Sequence, residues 1–314
     1  MTALTRSRPS VTPSPATFEH RTLPIALART GLATAGLALL VLNTDDVLFS
    51  PTPKAPEGTF CSGATTASLW CLSQASGLPP AVPRTIAVIV LALVVIGYRP
   101  RWTAIPHWYV AFSLATAISV PNGGESAAQV ITLILIPICL SDDRAWQWTP
   151  PSRPLRGHTR GLTYAAFLTL RAQASVIYLT AAISKLTVAD WRDGSAMAVI
   201  VHHPLLGFPG TVTAWLESWS WWPFAATLMT WGTLVTEAGI ALLLWGGRLA
   251  RRLAFVLGAG LHLAITAFMG IAGFGLVMLS LLVLVALERR STDVGSQEPH
   301  CPSSTGSSRP CLST

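Results

Sequence analysis

Apolar runs recur along the whole chain, at about residues 23–42, 82–98, 104–120, 126–140, 163–186, 223–245, 251–270 and 272–288. A run of about 20 such residues crosses the ~30 Å hydrocarbon core of a bilayer as a helix, which alone keeps every backbone group bonded without water. Several of the eight are near the lower length limit, the third and fourth most of all. With only 11% charged residues and a mean hydropathy of +0.52, a soluble chain of 314 residues could not cover its surface. The expected fold is all-α, a polytopic membrane helical bundle of about eight transmembrane helices.

The net charge of +7 invites a nucleic-acid reading. The distribution of the charge excludes it. Fifteen basic residues, among them Arg99, Arg101, Arg144, Arg248 and Arg252, fall in one alternating set of segments, whereas the other set holds only Lys54, Arg84 and Arg192. The positive-inside rule then puts both termini in the cytoplasm of a bacterial cell, with the lipid bilayer as the main partner. Residues 1–22 and 291–314 lack hydrophobic period and read as disordered cytoplasmic tails. Between them, 23–290 form the transmembrane domain, with outer loops at about 43–81 and 187–222. The first span is expected to be retained, because Asn43-Thr44-Asp45-Asp46 follows it rather than a small-residue cleavage site.

In the first outer loop, Cys61 and Cys71 lie between the turn-forming PTPKAPEG and SGLPP. Thiols on that side oxidise, so a disulfide is expected. A redox-active pair or a metal site stays open, although no third or fourth ligand has suitable spacing. Cys139, Cys301 and Cys311 fall on the inner side as free thiols. The second loop carries AWLESWSWWPF, whose Trp215, Trp219, Trp221 and Trp222 suit the headgroup layer.

Ionisable residues within spans are costly and mark function. In the fifth span, Arg171, Ser175, Tyr178, Ala182 and Lys185 share one ~80° sector of a helix. Glu237 lies in the sixth span and His262 in the seventh, near its middle, where hydrogen-bonded packing competes with a catalytic role. Counting ~1.5 Å per residue from each span's start puts Arg171 and Glu237 at a similar depth, which makes an ion pair between them one candidate arrangement, the leading alternative being that each has another partner. Arg29, near the inner end of the first span, can snorkel to water. Lys185 is one of only two lysines. As an anchor it would reach headgroups, with Trp191 beside it and Asp190 or Asp193 as ion-pair partner. As a lysine it can also lose its proton, which an arginine cannot.

The run from Gln173 to Met197, containing YLTAAISKLTVADWRDGSAM, resembles the HTTM membrane domain shared by vitamin K-dependent gamma-carboxylase and many bacterial proteins. Its marks are Lys-Leu, a short spacer, then Asp190, Trp191 and Gly194; Glu237 of TEAGIALLL, His262 of GLHLAI and Phe274 of AGFGLVML look like further family positions. In the N-terminal third, IALARTGLATAGLALLVLNTDDVLFSP followed by Cys61 and SLWCL resembles the SdpB (sporulation-delaying protein B) branch. That resemblance implies a membrane accessory for the maturation or export of a secreted antimicrobial peptide toxin, with the toxin precursor and a second accessory protein as partners. The wider one implies an alternative: a quinone-dependent oxidoreductase or carboxylase-like enzyme with Lys185 as base toward a membrane quinol and His262 nearby. The chain lacks the carboxylase's large lumenal domain, which puts glutamate carboxylation in doubt. A transporter is disfavoured by the lack of internal repeats.

Overall fold

The computed structural model describes residues 18–53, 55–56, 58–119, 122–204 and 206–287. Helices dominate, and the described residues contain no strand beyond the isolated bridges Thr52–Ala55 and Tyr98–Trp146. In chain order they are α1 (Leu23–Leu42), α2 (Asp45–Leu48), a 3-10 turn at Gly63–Ala67, α3 (Leu69–Ala75), α4 (Ala81–Val95), α5 (Pro100–Ala117), α6 (Gly123–Leu140), α7 (Gly157–Leu186), α8 (Ala189–Asp193), α9 (Ala196–Ile200), α10 (Gly210–Glu217), α11 (Trp222–Leu243), α12 (Arg248–Met269) and α13 (Ala272–Ala286).

Each of the eight apolar runs corresponds to one long helix. Five of them, α1, α6, α7, α11 and α12, are long and apolar enough to cross a membrane. The other three fall short for different reasons. α4 and α13 are apolar but have 15 residues, about 22 Å of helix. α5 carries Arg101, Thr103 and His107 among its apolar residues.

Local signals set the boundaries. Pro24, Pro100 and Pro223 open α1, α5 and α11 from the first turn, where a missing N–H costs nothing. Asn122 and Glu125 form a capping box on α6. A two-residue turn at Gly270–Ile271 makes α12 and α13 the tight hairpin the sequence announces.

α13 is the axis of the bundle, packed against α1, α6, α7 and α12. It is apolar on every side, which is the pattern of a helix surrounded by others rather than of a surface helix. α1 is a close neighbour: a Cβ on Gly31 would come within 2.2 Å of the Ser280 hydroxyl, so a larger residue there would force Ser280 to turn away. α1 joins two cores. One is built with α6, α7, α11, α12 and α13, the other with α4, α5 and Trp70 of α3.

Two expectations about the arginine-rich end are corrected. Phe18, His20 and Arg21 lie within the stretch read as a disordered tail, yet all three are buried. Phe18 packs on Tyr164 and Phe167, His20 bonds Ser141 at 3.0 Å, and Arg21 pairs with Glu19 at 2.8 Å. The remainder of both tails, with Lys54, Cys301 and Cys311, lies outside the described residues. Arg29 does not snorkel: it is 2% exposed, donating to Gln147 Oε1 at 2.9 Å and to Thr103 Oγ1. Its partners come from α5 and the α6–α7 loop, which pack against the N-terminal half of α1 and enclose the guanidinium.

Candidate functional site

The expected disulfide joins Cys61 to Cys71. It ties the segment preceding the 3-10 turn to α3, and Cys139 is a buried free thiol as expected. The Trp-rich segment forms α10 and the turn after it, where Trp219 packs edge-on to Trp215 and stacks on Trp221. Trp215 and Trp221 are more than half exposed, whereas Trp222 is buried in a small core with Val201 and Ala226.

The intramembrane candidates meet at the disulfide end of α7. Lys185 Nζ lies 2.6 Å from Glu237 Oε1, an ion pair between α7 and α11. Glu237 therefore pairs with Lys185 and not with Arg171. The depth argument failed because it compared backbone levels from expected span starts. α7 starts at Gly157, six residues before the expected 163. α7 and α11 are set in register by Ser175, whose hydroxyl donates to the Ala241 carbonyl at 3.0 Å. Counting antiparallel from there, Glu237 is level with Leu179. Lys185 lies about six residues beyond it, roughly 9 Å along the axis.

Side-chain direction closes that gap. Helical side chains tilt toward their own N-terminus, so on antiparallel helices Lys185 leans down and Glu237 leans up. Arg171, on the other side, leans away. Its guanidinium lies over the Phe167 ring at 4.9 Å and reaches the Val285 carbonyl of α13 at 3.5 Å.

Below the ion pair, Tyr178 Oη and His262 Nε2 are 2.8 Å apart, tying α7 to α12. Phe274 of α13 packs edge-on against the His262 ring at 5.4 Å between centroids. Tyr178 and His262 are each 2% exposed. The second Glu237 oxygen, Oε2, and His262 Nδ1 are buried without hydrogen-bond partners. Thus residues from α7, α11, α12 and α13 build one polar cluster inside an apolar bundle, and it keeps two unfilled hydrogen-bonding positions.

The segment after α7 forms the roof. Trp191 lies over Lys185 Nζ at 5.4 Å to the ring centroid. Arg192 donates to the carbonyls of Leu186 and Thr187 at 3.2 and 3.1 Å, satisfying the end of α7. Gly194 ends α8 at φ +87°, and a Cβ there would meet Thr227 at 2.8 Å and Trp231 at 3.1 Å. The Asp190 and Asp193 carboxylates are not the partners of Lys185. Asp193 accepts from Ser195 N–H and Oγ, which hold its carboxyl below the usual range. Asp190, in the first turn of α8, forms no ion pair among the described residues.

The site also holds members that the sequence did not single out. Trp245 Nε1 donates to Ser175 Oγ at 2.9 Å, a second bond on the same rung as Ala241. Its signal was a tryptophan at a helix end, indistinguishable in sequence from an interfacial residue.

Fold and site together define a helical membrane protein with a charged and polar cluster buried among its spans. The chain is 31% identical over 261 residues to YitO, an uncharacterised protein of Bacillus subtilis (strain 168), covering 82% of this chain and 83% of that one. It is 29% identical over 264 residues to the sporulation-delaying protein SdpB of the same strain, covering 82% and 79%. The chain belongs to this SdpB-like family. No protein-family model matches it, and no solved structure does.

Proposed function

We propose that this protein is a multi-pass accessory of the bacterial cell membrane, needed to mature or export a secreted antimicrobial peptide toxin. The observation that carries this reading is the likeness to a sporulation-delaying protein across four-fifths of the chain. All eight long helices are taken as spans, with the two shorter ones, α4 and α13, and the more polar α5 packed against their neighbours. Both termini are placed in the cytoplasm by the fifteen-to-three arginine and lysine bias. The disulfide, the Trp-rich α10 and the α8 roof then face outward, toward a precursor and a second accessory protein. Lys185, Glu237, Tyr178 and His262 form the working centre, with Asp190, Trp191 and Gly194 as the motif that covers it.

The alternative, a quinol-linked or carboxylase-like enzyme in which Lys185 acts as base, requires a free lone pair on Nζ. The short contact with Glu237 supports a positioning role instead, because the ammonium compensates a carboxylate set deep in the bundle. Lys185→Arg separates the two, since it keeps the charge and removes the basic lone pair. Deleting the gene in its host should abolish growth inhibition of a sensitive indicator strain by culture supernatant. The Lys185→Arg gene should restore it. Full inhibition after deletion would refute the accessory role, and failure of a normally folded arginine variant would return the base to favour.

A further inference from the structure

A narrow cavity of about 30 Å³ lies where the two cores meet, among α1, α4, α5, α6 and α13. It follows Leu32 to Leu39 on α1 and His107 to Leu114 on α5, about two turns of each helix or ~10 Å. Its upper end lies at Glu125, in the first turn of α6. That end adjoins the loop that carries the disulfide, because Ser119, between α5 and α6, donates to the Ser50 and Gly58 carbonyls at 2.7 and 2.9 Å. His107 stands at the lower end, inside α5.

The wall is apolar except for these two titratable side chains. His107 is 4% exposed, and its ring makes no hydrogen bond among the described residues. Its nitrogens differ from Nδ1 of His262, which is unbonded and sealed: those of His107 are unbonded but not shut off, and the residue lines the cavity. Glu125 is half-buried and bonds Asn122 through both oxygens, at 2.8 Å to the N–H and 3.1 Å to Nδ2. A carboxylate so engaged keeps lone pairs for a further donor.

Volume and polarity together select the occupant. One water needs ~10–15 Å³ of such space, so about two fit, whereas a drug-sized ligand needs ~300 Å³ or more. A wholly apolar cavity stays dry, but a neutral imidazole brings one N–H to donate and one bare nitrogen to accept with. Left unbonded in a core, such a group is uncommon.

We infer that this cavity is a water shaft and that His107 is a proton-exchange site at its foot, separate from the Lys185 cluster and independent of the proposed accessory function. A proton passes from water to the bare nitrogen, and the other nitrogen returns its own proton to water. One N–H bond forms and one breaks, so the ring ends as its other tautomer with no net charge. Neutrality is required by the surroundings: Thr103, one turn below His107 on α5, holds the buried Arg29 guanidinium.

The test uses the full chain in liposomes with isotope-labelled histidine rings, read by solid-state NMR in which magnetisation starts on water protons. His107→Gln assigns the signal. The His107 ring should build up several-fold faster than that of His262, which is as deeply buried at 2% exposure but bonded to Tyr178. It should approach the rate of His158, which is exposed. Its two nitrogens should share one averaged shift, the mark of tautomer exchange. Equal build-up for His107 and His262 overturns the water shaft, and two fixed nitrogen shifts overturn proton exchange. Ala111→Leu fills the wall one turn above His107 and should slow its signal to the His262 level, leaving His262 unchanged. Where that variant does not fold, Gly36→Ala is the milder plug: its methyl would meet Leu91 at 3.3 Å and Leu114 at 3.5 Å. A folded plug that leaves the His107 signal as fast as in wild type overturns the cavity as the route.

Discussion

Replacing Lys185 with methionine should destabilise the protein more than replacing Glu237 with glutamine, and the double change should recover most of the loss. The Glu237 side chain is 9% exposed and that of Lys185 26%. Methionine keeps the length and volume of the lysine stem but strands a carboxylate whose Oε2 already lacks a partner. Removing one member of a fully buried pair costs about 3–5 kcal/mol; the partial exposure of Lys185 brings the expected loss to about 2–3 kcal/mol. Glu237→Gln strands the lysine instead. Being one residue from the end of α7, that lysine can swing outward to water, so about 1 kcal/mol is expected. With both charges gone the desolvation cost goes too, and the double variant should fall within about 1 kcal/mol of wild type.

The assay is a melting curve in detergent, reported by labelling of Cys139, which is buried until the bundle opens. Cys301 and Cys311 are first changed to serine. At roughly 2 °C per kcal/mol for a chain of this size, Lys185→Met should melt about 4–6 °C lower and the double variant within ~2 °C of the parent. A double variant as unstable as the sum of the singles would show that the pair compensates nothing.

Three further outcomes are expected. Changing Cys61 and Cys71 to serine should lower stability by about 2–3 kcal/mol for a closed loop of this size, and thiol labelling of the unfolded wild type should rise on adding reductant. Burial pushes the His20 pKa from 6.5 down to about 4, with Glu19, Asp142, Arg21 and Arg144 around it. The unfolded chain therefore takes up the proton first, so stability is full above about pH 6.5 and is lost as pH falls toward 4. Against a His20→Gln control that keeps those four charges, wild type should lose about 2 kcal/mol more between pH 7.5 and 4.5 in a melting series. Arg29→Met should cost about 2–4 kcal/mol, because it leaves Gln147 and Thr103 without their donor in the core, whereas an arginine truly snorkelling to water would tolerate the change.

Which parts of this were legible depends on how far apart the interacting residues are. The eight long helices follow from local hydropathy, and the expected and observed spans agree to within six residues at every start. The α7 stripe was legible for the same reason: Arg171, Ser175, Tyr178 and Lys185 need only the helical period. The partners were not. Arg29 meets Thr103 and Gln147 across 74 and 118 residues, and no period links them. Arg171 stood as the one named candidate partner of Glu237 because depth was counted along the backbone, where a helix start misplaced by six residues is a ~9 Å error. The direction of side chains, which follows from the sequence once two helices are known to be antiparallel, would have favoured Lys185.

The position of the ion pair also explains why a membrane bundle keeps such a costly contact. Apolar faces pack almost equally well in several registers, since lipid is as apolar as the helices themselves. α7 and the α8 roof that follows it are instead joined to the α11 segment at three levels: Ser175 with Ala241 and Trp245, Lys185 with Glu237, and Gly194 of the roof against Thr227 and Trp231. Sliding α11 by one turn would move Glu237 about 5.4 Å, leaving a carboxylate and an ammonium apart in a medium that solvates neither. The same slide would break the Ser175 bonds and drive Trp231 along the roof at Gly194. Stability could be had more cheaply from leucine; a single register could not. That register sets Glu237 beneath Lys185 while Tyr178, about two turns lower on the same face of α7, meets His262.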